Sequence, residues 1–119
     1  MIEEELKDRT KKLGLRVINL VNALPKSPSS DVIGRQLLRS GTSVGANYRA
    51  ACREKSKRDF AHKLDIAIEE TDESLYWMEL IVEAELLPEE RISALMQECD
   101  EIISILTASA ITSRKNIAN

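Results

Sequence analysis

The sequence predicts an all-α protein, an antiparallel four-helix bundle with up-down-up-down topology. Helix-favouring residues dominate the 119-residue chain, and aromatic residues make up only 3% of it. Four segments repeat their apolar residues at helical spacing, and none alternates as a half-buried strand would. Because the connectors between the segments are short, consecutive helices should be antiparallel neighbours. A chain of this length fits a single domain, residues 1–119.

The first two helices are predicted at about residues 3–24 and 29–53. Pro25 follows the first, and Ser29 or Ser30 can cap the second. Gly41 and Gly45 lie inside the second helix, where each costs about 1 kcal/mol relative to alanine. We therefore expect a neighbouring backbone to approach closely there. The apolar stripes of the two helices are Ile2, Leu6, Leu13, Val17, Leu20 and Leu24, then Ile33, Leu37, Ser40, Val44, Tyr48 and Ala51.

The third and fourth helices are predicted at about residues 56–86 and 88–113. Ser56 and Asp59 have the spacing of a capping box, and Pro88 suits a first helical turn. The third helix carries the stripe Phe60, Leu64, Ala67, Ile68, Thr71, Leu75, Met78 and Val82. The fourth carries Ile92, Leu95, Met96, Cys99, Ile102, Ile103, Leu106 and Ala110.

A second apolar set lies almost opposite the core stripe of the third helix. An isolated bundle needs only one apolar face per helix, so another subunit should cover the second. The sequence thus predicts a homo-oligomer whose interface includes Ile66, Trp77, Leu80 and Ala84.

Charge is segregated along the chain, although the formal net charge is only −3. From Asp65 to Glu101 there are thirteen acids and a single base, Arg91. The middle of the chain is basic. Its cations, the candidate nucleic-acid-binding residues, are Arg35, Arg39, Arg49, Arg53, Lys55, Lys57, Arg58 and Lys63.

Four arginines of this set form a stripe that falls within roughly 80° on the second helix and spans about 27 Å of it. They are Arg35, Arg39, Arg49 and Arg53. Such a stripe can bind phosphates of RNA or DNA, because guanidinium groups match phosphate geometry. The alternative is that the arginines pair with acids of the third and fourth helices, within or between subunits. In that case the protein is an interaction scaffold with a protein partner, and the residues leave both hypotheses open.

The sequence offers little to catalysis. Its only histidine, His62, falls away from the predicted core, and no nucleotide-binding or hydrolase motif is present. We expect no metal, no cofactor and no enzymatic activity. Cys52 and Cys99 lack metal-site spacing, which favours reduced thiols and a cytoplasmic protein. No apolar run is long enough to span a membrane.

The segment Gln36–Ala51, QLLRSGTSVGANYRAA, resembles the signature of bundle proteins encoded in intervening sequences of bacterial 23S ribosomal RNA genes. Those proteins typically carry Q-L-x-R-S-x-x-S-I-x-x-N-I-A-E-G followed by D-F-x-x-x-L. Asp59, Phe60 and Leu64 match the second motif, and the stretch 75–80 is similar to one branch. The resemblance covers the whole chain in helix order.

This resemblance implies a homopentameric, cone-like assembly without an established activity. Accessory proteins of diversity-generating retroelements are similar, and they bind nucleic acid and a reverse transcriptase through basic surfaces. The chain departs from the common pattern at 50–54, where A-A-C-R-E replaces A-E-G. That change removes a helix-ending glycine, lengthens the second helix and adds Arg53 to the stripe.

Overall fold

The computed structural model describes residues 1–118 and contains four long helices. They are α1 (Glu3–Asn22), α2 (Pro28–Cys52), α3 (Lys57–Glu83) and α4 (Ser93–Ala118), with a short 3-10 turn, Glu89–Arg91, before α4. No strand occurs within these residues, and the bundle measures 52 × 21 × 20 Å. The predicted all-α four-helix bundle is confirmed. Asn119, the last residue of the predicted domain, lies outside the described residues.

Serine side chains set the starts of α2 and α3. Ser27, rather than Ser29 or Ser30, caps α2: its hydroxyl accepts a hydrogen bond from the Ser30 amide at 3.1 Å. The helix therefore begins at Pro28, slightly earlier than predicted. The Ser56 cap of α3 is confirmed, since Ser56 Oγ accepts from the Asp59 amide at 3.0 Å.

The α3 helix ends at Glu83, three residues before the predicted end. Glu85 takes a left-handed conformation with φ 57°, and the Leu86 amide donates to the Ile81 carbonyl at 2.9 Å. This geometry closes a helix by satisfying its last carbonyls, and it usually has glycine at the left-handed position. The prediction was wrong here because glutamate carries no such signal.

The α4 helix is displaced relative to its prediction at both ends. It begins at Ser93, not Pro88, because an extended Pro88 leads into the 3-10 turn. It continues to Ala118, beyond the predicted residue 113. Contacts with α3 support the extra turns: Ser113 Oγ donates to the Lys57 carbonyl at 3.1 Å, and Arg114 pairs with Asp65.

One hydrophobic core draws on all four helices. Most of the predicted stripe residues are buried in it, among them Leu13, Leu37, Leu64 and Leu106, each with no exposed surface. Ile2 is an exception at 62% exposure, because it precedes the first helical residue. The α2 helix packs between α1 and α3, and α4 packs on α3, whereas α1 and α4 meet at few points.

Glycines allow α1 and α2 to cross closely, as predicted. A Cβ atom on Gly45 would lie 3.2 Å from the backbone carbon and oxygen of Thr10, and one on Gly41 would lie 2.7 Å from a Val17 methyl. At the other end of the pair, Gly34 faces the side chain of Leu24. Early α1 thus meets late α2 and late α1 meets early α2, as in an antiparallel pair.

Candidate nucleic-acid interface

The structure divides the predicted arginine stripe, and Arg39 is engaged by its own chain. Its guanidinium donates to Glu70 Oε2 at 2.9 Å and also to Glu73 on α3. The hydrogen bond to Glu73, followed by the charge of Glu70, raises the pKa of Arg39. Arg39 therefore agrees with the alternative hypothesis, in which the arginines pair with acids of the third and fourth helices, and the pairing is within one subunit.

Glu73 receives two donors on the same carboxylate oxygen. Trp77 Nε1 donates to Glu73 Oε2 at 3.1 Å, and Arg39 donates to that oxygen from α2. The Trp77 hydrogen bond is the largest cause of a lowered Glu73 pKa; partial burial opposes it and Arg39 adds to it. The three side chains form a cross-helix cluster on the outer face of α2 and α3.

This cluster should make folding stability depend on pH in the acidic range. Because the folded-state pKa of Glu73 is lowered from 4.5, its contribution is fully present above about pH 4.5 and is lost as pH falls through the lowered value. We expect Glu73→Gln to flatten this part of the stability curve, measured by urea unfolding between pH 3 and 6. Glu79→Gln, at an exposed position, is the control, and equal flattening by both would contradict the assignment.

Arg35, Arg49 and Arg53 remain exposed, and none lies within 4 Å of a carboxylate in the described part of the chain. Arg49 and Arg53 line a groove of about 620 Å³ between α1 and α2, together with Lys11 and small residues of the crossing. Arg35 lies further along the same side of α2. The four arginines thus share one helix but differ in their neighbours, which are acids of α3 for Arg39 and the α1–α2 groove for Arg49 and Arg53.

The connector between α2 and α3 concentrates positive charge at one end of the bundle. We call this surface the basic end and define it as Arg53, Lys55, Lys57 and Arg58. All four are exposed and, over residues 1–118, unpaired with acids. The last predicted basic residue, Lys63, is half-buried on α3.

The predicted interface residues on α3 are only partly covered by their own chain. Ile66, Trp77 and Leu80 are half-buried, with Trp77 against the edge of the core, and Ala84 is exposed at the end of the helix. Tyr76, which sequence analysis did not select, is 52% exposed and meets Trp77 edge-to-face at 5.1 Å. Tyr76 lies among acidic residues on the surface of α3, and the prediction of the interface used only the second apolar set of this helix.

Exposed apolar residues also occur beside the groove, where sequence analysis did not expect them. Leu15 is 54% exposed, and Ile18 and Leu38 are each 37% exposed. These residues fall outside the predicted stripes of α1 and α2. The sequence signal that could have identified them is an apolar residue on the charged side of a helix.

The described residues contain no group of three His, Cys, Asp or Glu side chains that could hold a metal ion. His62 is exposed, beside Arg58 and Arg114. Cys99 is a buried free thiol whose pKa burial raises to about 12, which keeps it protonated and unreactive in the folded protein. None of the helices described for residues 1–118 is long and apolar enough to cross a membrane.

Sequence comparison identifies the family. The model of the family described as 23S rRNA-intervening sequence protein matches residues 3–108. The chain belongs to this family. A solved structure from Bacteroides thetaiotaomicron, described as a protein with unknown function from the S23 ribosomal protein family, is similar in sequence and fold. It is 34% identical, with 87% of this chain and 95% of that chain covered and a TM-score of 0.77. No curated protein matches.

Membership in the 23S rRNA-intervening sequence protein family confirms the resemblance of the Gln36–Ala51 segment. The TM-score and the four helices agree on the fold. Neither comparison assigns an activity, since the solved neighbour is itself described as a protein of unknown function.

Proposed function

We propose that this 23S rRNA-intervening sequence protein is a non-enzymatic, cytoplasmic homo-oligomer that binds nucleic acid, above all RNA, through the basic end. The supporting observation is the contrast between Arg39 and the basic end. Arg39 is neutralised by two carboxylates, whereas Arg53, Lys55, Lys57 and Arg58 are exposed without acidic partners in the described residues. Cations left free on a chain of net charge −3 are available to an anionic ligand.

The chemistry of the basic end suits phosphates rather than bases. Lysine and arginine bind the nucleic-acid backbone and release its counterions, which requires no particular sequence. Base stacking needs exposed aromatic platforms, and the chain has few aromatic residues. Phe60, which lines a pocket beside Lys57 of the basic end, is half-buried against the core. Binding should therefore depend strongly on salt and weakly on sequence.

Self-association is the second part of the proposal. Partly exposed Leu80 and Trp77, with exposed Tyr76, leave an apolar area on α3 that a second subunit would cover. A pentamer is the expected form, on the basis of the resemblance. The alternative function is an interaction scaffold that binds only protein, and the exposed apolar residues beside the α1–α2 groove favour it.

The salt dependence of RNA binding tests the nucleic-acid proposal. We expect Lys55→Gln/Lys57→Gln to weaken binding to unrelated single-stranded RNAs equally and to lower the slope of log K against log salt by about 0.7 per lost contact. Lys26→Gln/Arg91→Gln removes the same charge from exposed sites elsewhere and should change little. Absence of RNA and DNA affinity at low salt, or an equal effect of the control, would favour the scaffold.

A further inference from the structure

Two surfaces of this chain are complementary in charge, apolar character and length, and neither has a partner within the described subunit. The first is the α1–α2 groove with its continuation along α2. The second is a ridge on α3, defined as Glu69, Tyr76, Leu80 and Glu83. From them we propose that the ridge of one subunit docks in the groove of the next. This inference rests on the homo-oligomer of the proposed function and specifies how its subunits join.

The groove is basic at one end, where Lys11, Arg49 and Arg53 line it, and apolar towards the other. Arg35 lies beyond the apolar part, on the continuation along α2. Exposed Leu15 and Ile18 lie along its α1 wall, and Gly14 and Ala46 keep it open. Arg35 and Arg49, on the α2 side, are exposed and have no carboxylate within 4 Å in residues 1–118.

Two acids on the groove wall do not cancel this positive charge. Lys7 approaches Glu4 at 3.5 Å, and Lys12 approaches Asp8 at 2.8 Å. Asp8 is thus neutralised by a lysine of its own helix, whereas Glu4 shares Lys7 with Glu3, which lies 3.4 Å from the same ammonium group. The cations that line the groove still outnumber these two acids. The net positive charge that a partner would meet comes from Lys11, Arg49 and Arg53.

The ridge has the opposite charge and the same length. Its four residues fall within about 60° on the surface of α3, with Tyr76 and Leu80 between the two acids. Glu69 and Glu83 are exposed and form no ion pair among the described residues. Glu69 and Glu83 are 14 residues apart, as are Arg35 and Arg49, which is about 21 Å along either helix.

These matched spacings let both arginines meet both glutamates while the apolar residues pack between them. The contact joins two different surfaces, so the subunit that contributes its groove keeps its ridge for a further neighbour, and its partner keeps its groove. Repetition of such a heterologous contact gives a closed ring when its rotation closes. It also assigns Arg35 and Arg49 to the assembly and leaves Lys55, Lys57 and Arg58 of the basic end for phosphate.

Charge reversal followed by light scattering tests the assignment. We expect the groove variant Arg35→Glu/Arg49→Glu and the ridge variant Glu69→Lys/Glu83→Lys each to have a lower mass than wild type, with unchanged helicity by circular dichroism. A chain that combines all four reversals should recover the wild-type mass, because its ridge and its groove again have opposite charges in a ring of any number of subunits. The charge-matched controls, Lys26→Glu/Arg91→Glu and Glu89→Lys/Glu90→Lys, should keep the wild-type mass.

The outcomes separate this inference from the proposed function. An oligomeric wild type whose mass neither reversal changes, or only one of them changes, overturns the groove–ridge contact and leaves the oligomer standing. Loss of mass in both variants without recovery in the chain that combines all four reversals also overturns it. A monomeric wild type at micromolar concentration refutes the oligomer itself. If a reversed chain loses helicity, the neutral pairs Arg35→Gln/Arg49→Gln and Glu69→Gln/Glu83→Gln replace it, and each must then weaken the assembly.

Discussion

Gly45→Leu should destabilise the protein by about 1–3 kcal/mol or more. Even the first carbon of a side chain at this position, the Cβ, would lie 3.2 Å from the backbone of Thr10. The backbone cannot move aside as a flexible side chain can. The leucine would force α1 and α2 apart along the whole crossing. Its better helix propensity, up to about 1 kcal/mol, offsets only part of this cost. Urea unfolding followed by circular dichroism measures the change.

Gly14→Ala is the matched control on the opposite side of the same crossing. A Cβ on Gly14 would lie 3.7 Å from the Thr42 Cα, an ordinary van der Waals contact. We expect this variant to be as stable as wild type or more stable, by up to about 1 kcal/mol, since alanine is the better helix former. Equal destabilisation by both changes would mean that backbone proximity at Gly45 is not the cause.

Trp77→Glu should lower the mass of the oligomer in solution while leaving the protein helical. The change places a carboxylate on the partly exposed apolar side of α3, four residues from Glu73, and a covering subunit would have to bury it. The fully buried stripe, including Leu64 and Met78, is not touched. Light scattering at micromolar concentration measures the mass.

Trp77→Phe separates the apolar contribution of this side chain from its hydrogen bond. Phenylalanine keeps an aromatic surface but cannot donate to Glu73, so the mass should persist and the pKa of Glu73 should rise. An unchanged mass for Trp77→Glu would exclude this side of α3 from the interface.

Periodicity predicted the fold because helical burial is a local property of the chain. Apolar residues recur every three or four positions along each helix, so they share the side that packs against the neighbouring helices. Leu37, Val44 and Leu64 are examples, and all three are fully buried. Helix ends were harder to predict, since they depend on single backbone conformations and on distant groups. The left-handed Glu85 and the Ser113–Lys57 contact are examples that no local pattern contains.

The candidate site could be predicted only in part, for a different reason. The helical wheel placed four arginines on one side of α2, but it contains no information about the neighbouring helix. Arg39 faces Glu70 and Glu73 across the α2–α3 contact, whereas Arg49 opens onto the α1–α2 groove. A rotation of about 80° around one helix is enough to change the partner from carboxylate to solvent.

The shared carboxylate of Glu73 also gives the molecule an optical reporter. Trp77 is the single tryptophan of the chain, and its indole N–H is held by an oxygen that Arg39 also binds from α2. Because indole emission responds to the polarity and charge around the ring, its wavelength and intensity should follow the docking of α2 on α3. Any subunit that covers this side of α3 would shift the same signal, so folding and assembly can be followed without an added dye.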